Sequence, residues 1–172
     1  MQLATGQKPV HSAAWRIEGG QVRPVDKTGT TYFLVDAGVP DVDVSVDVFL
    51  EQTKNEAAAG IVFQARDSRH MQRFLLQAKD RAVEVRIDSI VEGEPKQEER
   101  WLIPTMKRGL TLRVVAKGGD VLYFLDGKEI KHLQRTYSPS ATLVGVVNGG
   151  GESSRFDNLE VRVPETKCSS PQ

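Results

Sequence analysis

The stretch DVDVSVDVFLE, residues 41–51, places an apolar residue at every second position from Val42 to Leu50. Residues two apart on a β-strand share one face and lie about 6 to 7 Å apart. The alternation therefore predicts a strand with its valines on one face and Asp41, Asp43 and Asp47 on the other. We expect the valine face to be buried in a core and the aspartate face to meet water.

The same period of two recurs along most of the chain. It is found in GIVFQARD (60–67), QRFLLQAKD (72–80), RAVEVRID (81–88), TLRVVAK (111–117), VLYFL (121–125), LVGVVN (143–148) and RFDNLEVRV (155–163). Turn residues separate these segments, and Asp126-Gly127 is typical of a two-residue hairpin turn because both residue types tolerate positive φ. Many short strands at even spacing predict an all-β fold, a two-sheet antiparallel sandwich of roughly a dozen strands.

Two segments are predicted to lie outside the strands. TKNEAAAG (53–60) is rich in alanine but too short to form a stable helix alone, so we interpret it as a loop or a single turn. EGEPKQEER (92–100) mixes acidic and basic residues without forming a block of one sign, and is interpreted as the solvated tip of a hairpin.

Composition limits the classes of function. The 172 residues are enough for one domain with a hydrophobic core, predicted over residues 1–164 with a flexible polar tail at 165–172. The 23 basic and 23 acidic residues cancel, so no nucleic-acid partner is expected. No apolar run approaches the ~20 residues of a membrane span, and no leader sequence is evident, so we expect a soluble chain without membrane insertion. Cys168 is the single cysteine, which excludes an internal disulfide framework.

The order of these signals resembles a known fold family. The segments that carry the resemblance are AAWRIEGGQVRP (13–24), TTYFLVDAGVPDVDVSVDVFLE (30–51), AGIVFQARD (59–67), GLTLRVVAKGGDVLYFLDGKEI (109–130), TLVGVV (142–147) and FDNLEV (156–161). Together they resemble the concanavalin A-like lectin/glucanase jelly roll, particularly its laminin G-like and 3-keto-disaccharide hydrolase-like branch in bacterial surface and phage virion proteins. The matching positions are mostly core residues and turns, so the resemblance implies the fold more than an activity.

The acidic row, Asp41, Asp43 and Asp47, has side chains that occur in catalytic and metal sites. Laminarinase-like hydrolases of this fold place Glu, Asp and Glu at alternate strand positions, where paired carboxylates cut glycosidic bonds. The corresponding positions here hold Asp41, Asp43 and Ser45, so neither glutamate is present. We interpret the row as a solvated strand face whose charge protects against edge pairing, and predict no catalytic residue. A structural calcium ion with ligands from this row or from Asp157 is left open, and no other cofactor is expected.

Five residues are the candidates for ligand binding. Arg66, Asp67, His70 and Arg73 form a polar group around the loop that follows GIVFQ, and Trp101 lies among charged residues in EERWLIP (98–104). Sugar rings stack on aromatic faces that are flanked by hydrogen-bonding side chains. The alternatives are a solvated loop for the first four residues and a core position for Trp101. Trp15 is predicted to be core, and His11, His70 and His132 lack zinc-ligand spacing.

Three functions remain open at this stage. The first is a non-catalytic recognition module, most simply one that binds carbohydrate. The second is a structural or decoration subunit of a virion or surface assembly, with a protein partner or copies of itself. The third is a glycoside hydrolase of the 3-keto-disaccharide type. The fold resemblance implies an extracellular, surface-exposed or virion-associated location.

Overall fold

The computed structural model of the protein describes residues 15–25, 29–50, 58–105, 107–149 and 154–163. All regular structure in these residues is β-strand. The strands are β1 (Trp15–Glu18), β2 (Gln21–Pro24), β3 (Thr31–Asp36), β4 (Val42–Phe49), β5 (Ala58–Asp67), β6 (His70–Ala78), β7 (Ala82–Val91), β8 (Glu94–Pro104), β9 (Gly109–Lys117), β10 (Asp120–Leu125), β11 (Lys128–Gln134), β12 (Leu143–Asn148) and β13 (Arg155–Arg162). Within this part of the chain, no helix has the length and hydropathy needed to cross a membrane.

The strands form two antiparallel sheets that pack face to face. The seven-stranded sheet has the order β1-β2-β13-β4-β9-β10-β11, and the six-stranded sheet has the order β3-β12-β5-β6-β7-β8. The predicted two-sheet antiparallel sandwich is therefore confirmed. The predicted domain end at residue 164 and the tail 165–172 lie outside the described residues, and the single domain over 1–164 stays a prediction.

The valine row of β4 lies at the centre of the core. Val42, Val44, Val46 and Val48 are each at most 1% exposed, and they pack in one cluster with aromatic residues of the other sheet. Each buried valine stabilises the fold by about 1.5–3 kcal/mol relative to an exposed one. The predicted alternation is confirmed, but the idea that the aspartates guard a sheet edge was wrong. β4 is an interior strand between β13 and β9, so its charges have sheet neighbours on both sides.

Aromatic rings connect the two sheets. Tyr123 is fully buried and meets Phe63 and Phe74 edge-on, with ring centroids 6.0 and 5.3 Å apart. Trp15 is buried against Phe33 and Phe156, at 6.2 and 5.7 Å between centroids, as predicted for a core tryptophan. Such edge-on and tilted pairs add about 0.5–1.5 kcal/mol beyond the area that they bury.

Hairpin turns lie where the sequence predicts them. Asp126 and Gly127 have φ of 48° and 79°, and Gly118 and Gly119 have φ of 56° and 96°. Two successive residues with positive φ match the right-handed twist of the strands that they join. These turns connect β9, β10 and β11 into a meander at one edge of the seven-stranded sheet.

Two segment predictions were wrong. The turn before β8 contains only Glu92 and Gly93, and the rest of EGEPKQEER belongs to β8, the edge strand of the six-stranded sheet. An edge strand tolerates many charges because one of its sides has no neighbouring strand to exclude water. In the alanine patch, Ala58, Ala59 and Gly60 begin β5, where small side chains fit between closely packed neighbours. Residues 53–57 of that patch lie outside the described residues.

Gly145 of β12 occupies a position with no space for a side chain. A Cβ atom built there would collide with the backbone carbonyl oxygen of Phe33 on the adjacent strand β3. A backbone atom held in a sheet cannot move aside without disturbing the ladder, so the position requires glycine.

We expect Gly145→Ala to lower the free energy of unfolding by about 1–3 kcal/mol, because the added methyl group must displace β3. Urea denaturation followed by intrinsic fluorescence measures the change. The matched control is Gly109→Ala, whose Cβ would meet only the half-buried Phe49 ring at 3.0 Å, a side chain that can move. Equal stability of the two variants would contradict the backbone explanation.

Candidate functional site

The outer face of the six-stranded sheet differs from an ordinary solvated face. Its outward side chains include a second apolar cluster, and Leu34, Val62, Leu75 and Val147 in it are at most 3% exposed. The local sequence explains this, because β5 and β12 contain near-continuous apolar runs, which are typical of strands covered on both sides. We call this surface the sheet face, comprising the outward side chains of β3, β12, β5, β6, β7 and β8.

A buried ion pair lies within the sheet face. Arg73 of β6 and Asp88 of β7 are directly opposite in the strand register. Arg73 donates from Nε to Oδ1 of Asp88 at 2.7 Å and from Nη2 to Oδ2 at 2.8 Å. Asp88 is fully buried and Arg73 is 9% exposed. Two parallel hydrogen bonds fix the guanidinium plane as well as its position.

Arg73 remains charged despite this burial. Burial alone would lower the pKa of the guanidinium, but the hydrogen bonds and negative charge of Asp88 outweigh it, with a further hydrogen bond to Tyr32. The pKa of Arg73 is therefore raised above its ordinary value. Arg73 is therefore positively charged at any physiological pH.

Further charges extend the network across β7 and β8. Arg86 donates to Oδ2 of Asp88 at 3.3 Å, so one buried carboxylate accepts from two guanidinium groups. Glu84, also nearly buried, lies 2.7 Å from Nη2 of Arg100 and 3.8 Å from Nζ of Lys79. The buried carboxylates of Asp88 and Glu84 thus hold the more exposed side chains of Arg86 and Arg100 in defined orientations.

A shallow depression opens over this network. Its volume is about 180 Å³. The lining residues are Thr30, Ala58, Arg73, Leu75, Arg86, Val147 and Gly149. Sites for drug-sized ligands measure about 300–1,000 Å³, so this depression suits a single ring of a larger ligand. The lining of this depression is mostly polar, so its guanidinium donors can bind the hydroxyl groups of that ring.

Arg66, Asp67 and His70 come together at the β5–β6 turn, as the sequence predicts. Asp67 accepts a hydrogen bond from Arg66 Nε at 3.3 Å and from the Arg69 backbone N–H at 2.8 Å. The Nδ1 atom of His70 is 2.9 Å from Oδ1 of Asp67 and 2.8 Å from Nη2 of Arg66. Arg73 is not part of this group, because its side chain turns onto the sheet face and binds Asp88.

Trp101 is separate from the other four candidates. It lies on β8, is half-buried, and packs against the main core cluster. Its remaining surface lines a cleft of about 250 Å³ between the edges of the two sheets, with Glu99, Arg100, Ile130 and Lys131. A 2.8 Å ion pair between Lys131 and Glu99 crosses this cleft. Both interpretations of Trp101, core residue and ligand contact, therefore stay open.

The acidic row of β4 bonds to its own sheet. Asp43 forms a bidentate pair with Arg113 at 2.8 and 2.7 Å, and Asp47 accepts from Thr111 and Asn158 at 2.5 and 2.7 Å. Asp41 accepts from the backbone N–H of Gly118 at 3.0 Å. In the described ranges, no three or more His, Cys, Asp or Glu side chains are grouped so that they could hold a metal ion.

Sequence reasoning missed most of the sheet-face residues. Tyr32, Glu84, Arg86 and Asp88 were not singled out as candidates. A signal for three of them was present in RAVEVRID, where the charged residues fall at alternate positions opposite a row of buried apolar ones. Pairing this strand with QRFLLQAKD across the Lys79-Asp80 turn would have placed Arg73 opposite Asp88.

Comparison with known proteins identifies the fold. No protein-family model matches the chain, and no curated protein matches its sequence. The carbohydrate-binding module CBM66 from Bacillus subtilis superposes with a TM-score of 0.72 at 16% identity, over 92% of this chain and 96% of that one. The galectin LEC-6 from Caenorhabditis elegans gives a TM-score of 0.57 at 15% identity, over 83% of this chain and 96% of the galectin.

The protein has a concanavalin A-like jelly-roll fold. The GH43 protein BlXynB from Bacillus licheniformis also matches, with a TM-score of 0.65 at 17% identity, over 90% of this chain but only 35% of BlXynB. The jelly-roll resemblance predicted from the sequence is confirmed. Its laminin G-like branch stays a prediction, because similarity at this level of identity establishes the fold alone.

We expect the carboxyl group of Asp67 to titrate at a pKa of about 2, because hydrogen bonding to His70 is the largest of the effects that lower it. In His70→Ala the pKa should rise toward 3.8, the ordinary value. Since the folded-state pKa is the lower one, the stabilisation from Asp67 is complete above about pH 4 and is lost as the pH falls toward 2. A side-chain carboxyl NMR titration measures this. His132→Ala, which removes the separate His132–Asp120 contact, is the control and should change nothing at Asp67.

We expect Arg73→Met to lower the free energy of unfolding by about 3 kcal/mol or more, because Asp88 would remain buried with only the longer contact to Arg86. Arg113→Met is the matched control. It breaks another bidentate pair across adjacent strands, but one that is more exposed than the Arg73–Asp88 pair, and should cost about 1 kcal/mol or less. Chemical denaturation of both variants measures the two free energies of unfolding. Similar losses in the two variants would show that burial of the ion pair does not determine its contribution to stability.

Proposed function

We propose that this protein is a non-catalytic carbohydrate-binding module whose ligand binds on the sheet face. The observation that carries the proposal is the Arg73–Asp88–Arg86 network beneath the sheet-face depression. Carbohydrates present hydroxyl groups at fixed angles, so a site that recognises them requires donors that are already oriented. Asp88 and Arg73 are nearly buried and act as positioning residues, and the more exposed Arg86 is the expected ligand contact.

The shape of the fold supports the same proposal. Two solved structures that share it are described as a carbohydrate-binding module and as a galectin. Their similarity to this chain supports a binding role only in combination with the polar network, because one fold can carry many functions.

The absence of catalysis is part of the proposal. Glycoside hydrolysis requires two carboxyl groups, one of which must be available as an acid and the other as a base or nucleophile. On the sheet face, both oxygens of Asp88 already accept hydrogen bonds from arginines. Glu84 is likewise occupied by Arg100 and Lys79.

The first experiment is a glycan-array screen of the purified chain, with calcium and again with chelator. A saturable signal that survives chelator supports binding by the protein side chains alone, whereas loss with chelator would assign a calcium ion to the site. The solution mass of the same sample and the products formed from any bound oligosaccharide are measured in parallel. A stable oligomer with no glycan signal would favour the assembly role, and cleaved products would favour the hydrolase.

For the oligosaccharide that binds best, we expect Arg86→Gln to weaken affinity at least 10-fold in isothermal titration calorimetry. The charge-assisted hydrogen bond of Arg86 would be replaced by a weaker, neutral one from a shorter side chain. Arg86→Lys should recover part of the loss. Arg113→Gln, on the outer face of the opposite sheet, is the control and should bind as the parent does. Unchanged affinity in Arg86→Gln would exclude the sheet-face depression as the site.

A further inference from the structure

A second depression lies at the end of the sandwich, where the β5–β6 turn meets residues 136–141. Its volume is about 210 Å³, and its wall includes Gln64, Arg66, His70, Met71, Ile90 and Ser138. We call it the end pocket. It shares no lining residue with the sheet-face depression.

Gln64 shows that the end pocket is more than a surface irregularity. Its backbone φ is +44°, inside strand β5, at the register shift between Phe63 and Asp67. This conformation is unfavourable for a residue with a side chain and is concentrated at functional sites. Gln64 is also 8% exposed, and its buried side-chain amide nitrogen has no hydrogen-bond partner among the residues that the structure describes. A strained residue with an unused donor in the wall of a cavity indicates a ligand that supplies the acceptor.

The charge of the end pocket indicates the kind of acceptor. Arg66 and His70 are its ionisable lining residues, and no carboxylate is among the described residues that form its wall. Asp67 holds Arg66 through Nε, and His70 meets Nη2, while Nη1 of Arg66 makes no hydrogen bond within the described part of the chain. The guanidinium of Arg66 is therefore held at Nε and Nη2, and its Nη1 can donate a hydrogen bond to a negatively charged oxygen of a ligand.

The rest of the wall suits a sugar ring. Met71 and Ile90 are buried members of the second apolar cluster and form an apolar floor. Thr136 and Ser138 add hydroxyl-bearing side chains to the lining. An apolar surface accommodates the carbon face of a ring, and the hydroxyl groups complement those of the ligand.

We infer that the end pocket binds the carboxylate of an acidic sugar, with Arg66 and Gln64 as its hydrogen-bond donors. This second site goes beyond the proposed function, which concerns the depression lined by Arg73 and Arg86. The two sites share no residue, so either assignment can fail without the other.

The probe is trigalacturonic acid, and the matched control is its fully methyl-esterified form, which keeps the rings and removes the charges. The chain contains three methionines, so methyl-¹³C methionine labelling gives a simple NMR spectrum in which Met71 reports on the end pocket. Met71→Leu assigns the signal. We expect a saturable shift of the Met71 methyl with the acid and a response at least 10-fold weaker with the ester.

Four variants locate the binding. Arg66→Gln should weaken the affinity for the acid at least 10-fold, and Arg66→Lys should recover part of it. Gln64→Asn keeps an amide and tolerates positive φ but withdraws the donor, so it should weaken binding without lowering the melting temperature. Arg86→Gln, at the sheet face, should leave the Met71 response to the acid unchanged.

Several outcomes would overturn the inference. Equal binding of acid and ester would show that the carboxylate is not recognised, and unchanged affinity in Arg66→Gln would place the ligand elsewhere. Propionate that binds as tightly as trigalacturonic acid would show that charge alone is recognised and not a sugar. Neutral glycans that bind in an Arg86-dependent manner, with no response to the acid at Met71, would refute this site and leave the proposed function intact.

Discussion

Burial of apolar side chains between the two sheets is the interaction on which the rest of this structure depends. The valine row of β4 supplies the middle of one inner layer, and Phe63, Phe74 and Tyr123 fill the space opposite and beside it. These residues fix which way every neighbouring strand faces, because side chains alternate strictly between the two sides of a strand. Once the apolar side chains of a strand face the core, the charged side chains at the alternate positions must face outward.

The two outer faces then differ in how they treat charge. On the seven-stranded sheet, the Asp43–Arg113 pair is open to water, and the Arg113 guanidinium also lies over the Phe124 ring at 5.3 Å. On the six-stranded sheet, the equivalent cross-strand pair of Arg73 and Asp88 is buried, on the same face as the second apolar cluster. An exposed pair adds little stability, whereas a buried pair carries a desolvation penalty that is justified only by excellent geometry or by a functional need. The contrast is the main reason to look for a ligand on one face rather than the other.

The sequence was sufficient for the fold and only partly for the site. Alternation in β4 and the Asp126-Gly127 turn are local signals, and both appear in the structure where they were predicted. The Arg73–Asp88 pair depends on strand register, which no single segment contains, so Arg73 was grouped with its sequence neighbours Arg66 and His70. β8 was misread for a related reason, since its charged residues resemble a loop unless its place at the sheet edge is known. Gln64 could not be recognised at all, because its importance lies in a backbone angle.

The edge strand β8 also limits how this protein can associate. At eleven residues it is the longest strand in the described part of the chain, and no other described strand pairs with its outer side. Pro95 and Pro104 stand near its two ends and have no N–H to offer, while Lys96, Glu99 and Arg100 keep charge along its length. A second chain that tried to extend the sheet would lose backbone bonds at both ends and would have to strip water from these charges. Extension of the six-stranded sheet through β8 by a second copy of the chain is therefore disfavoured.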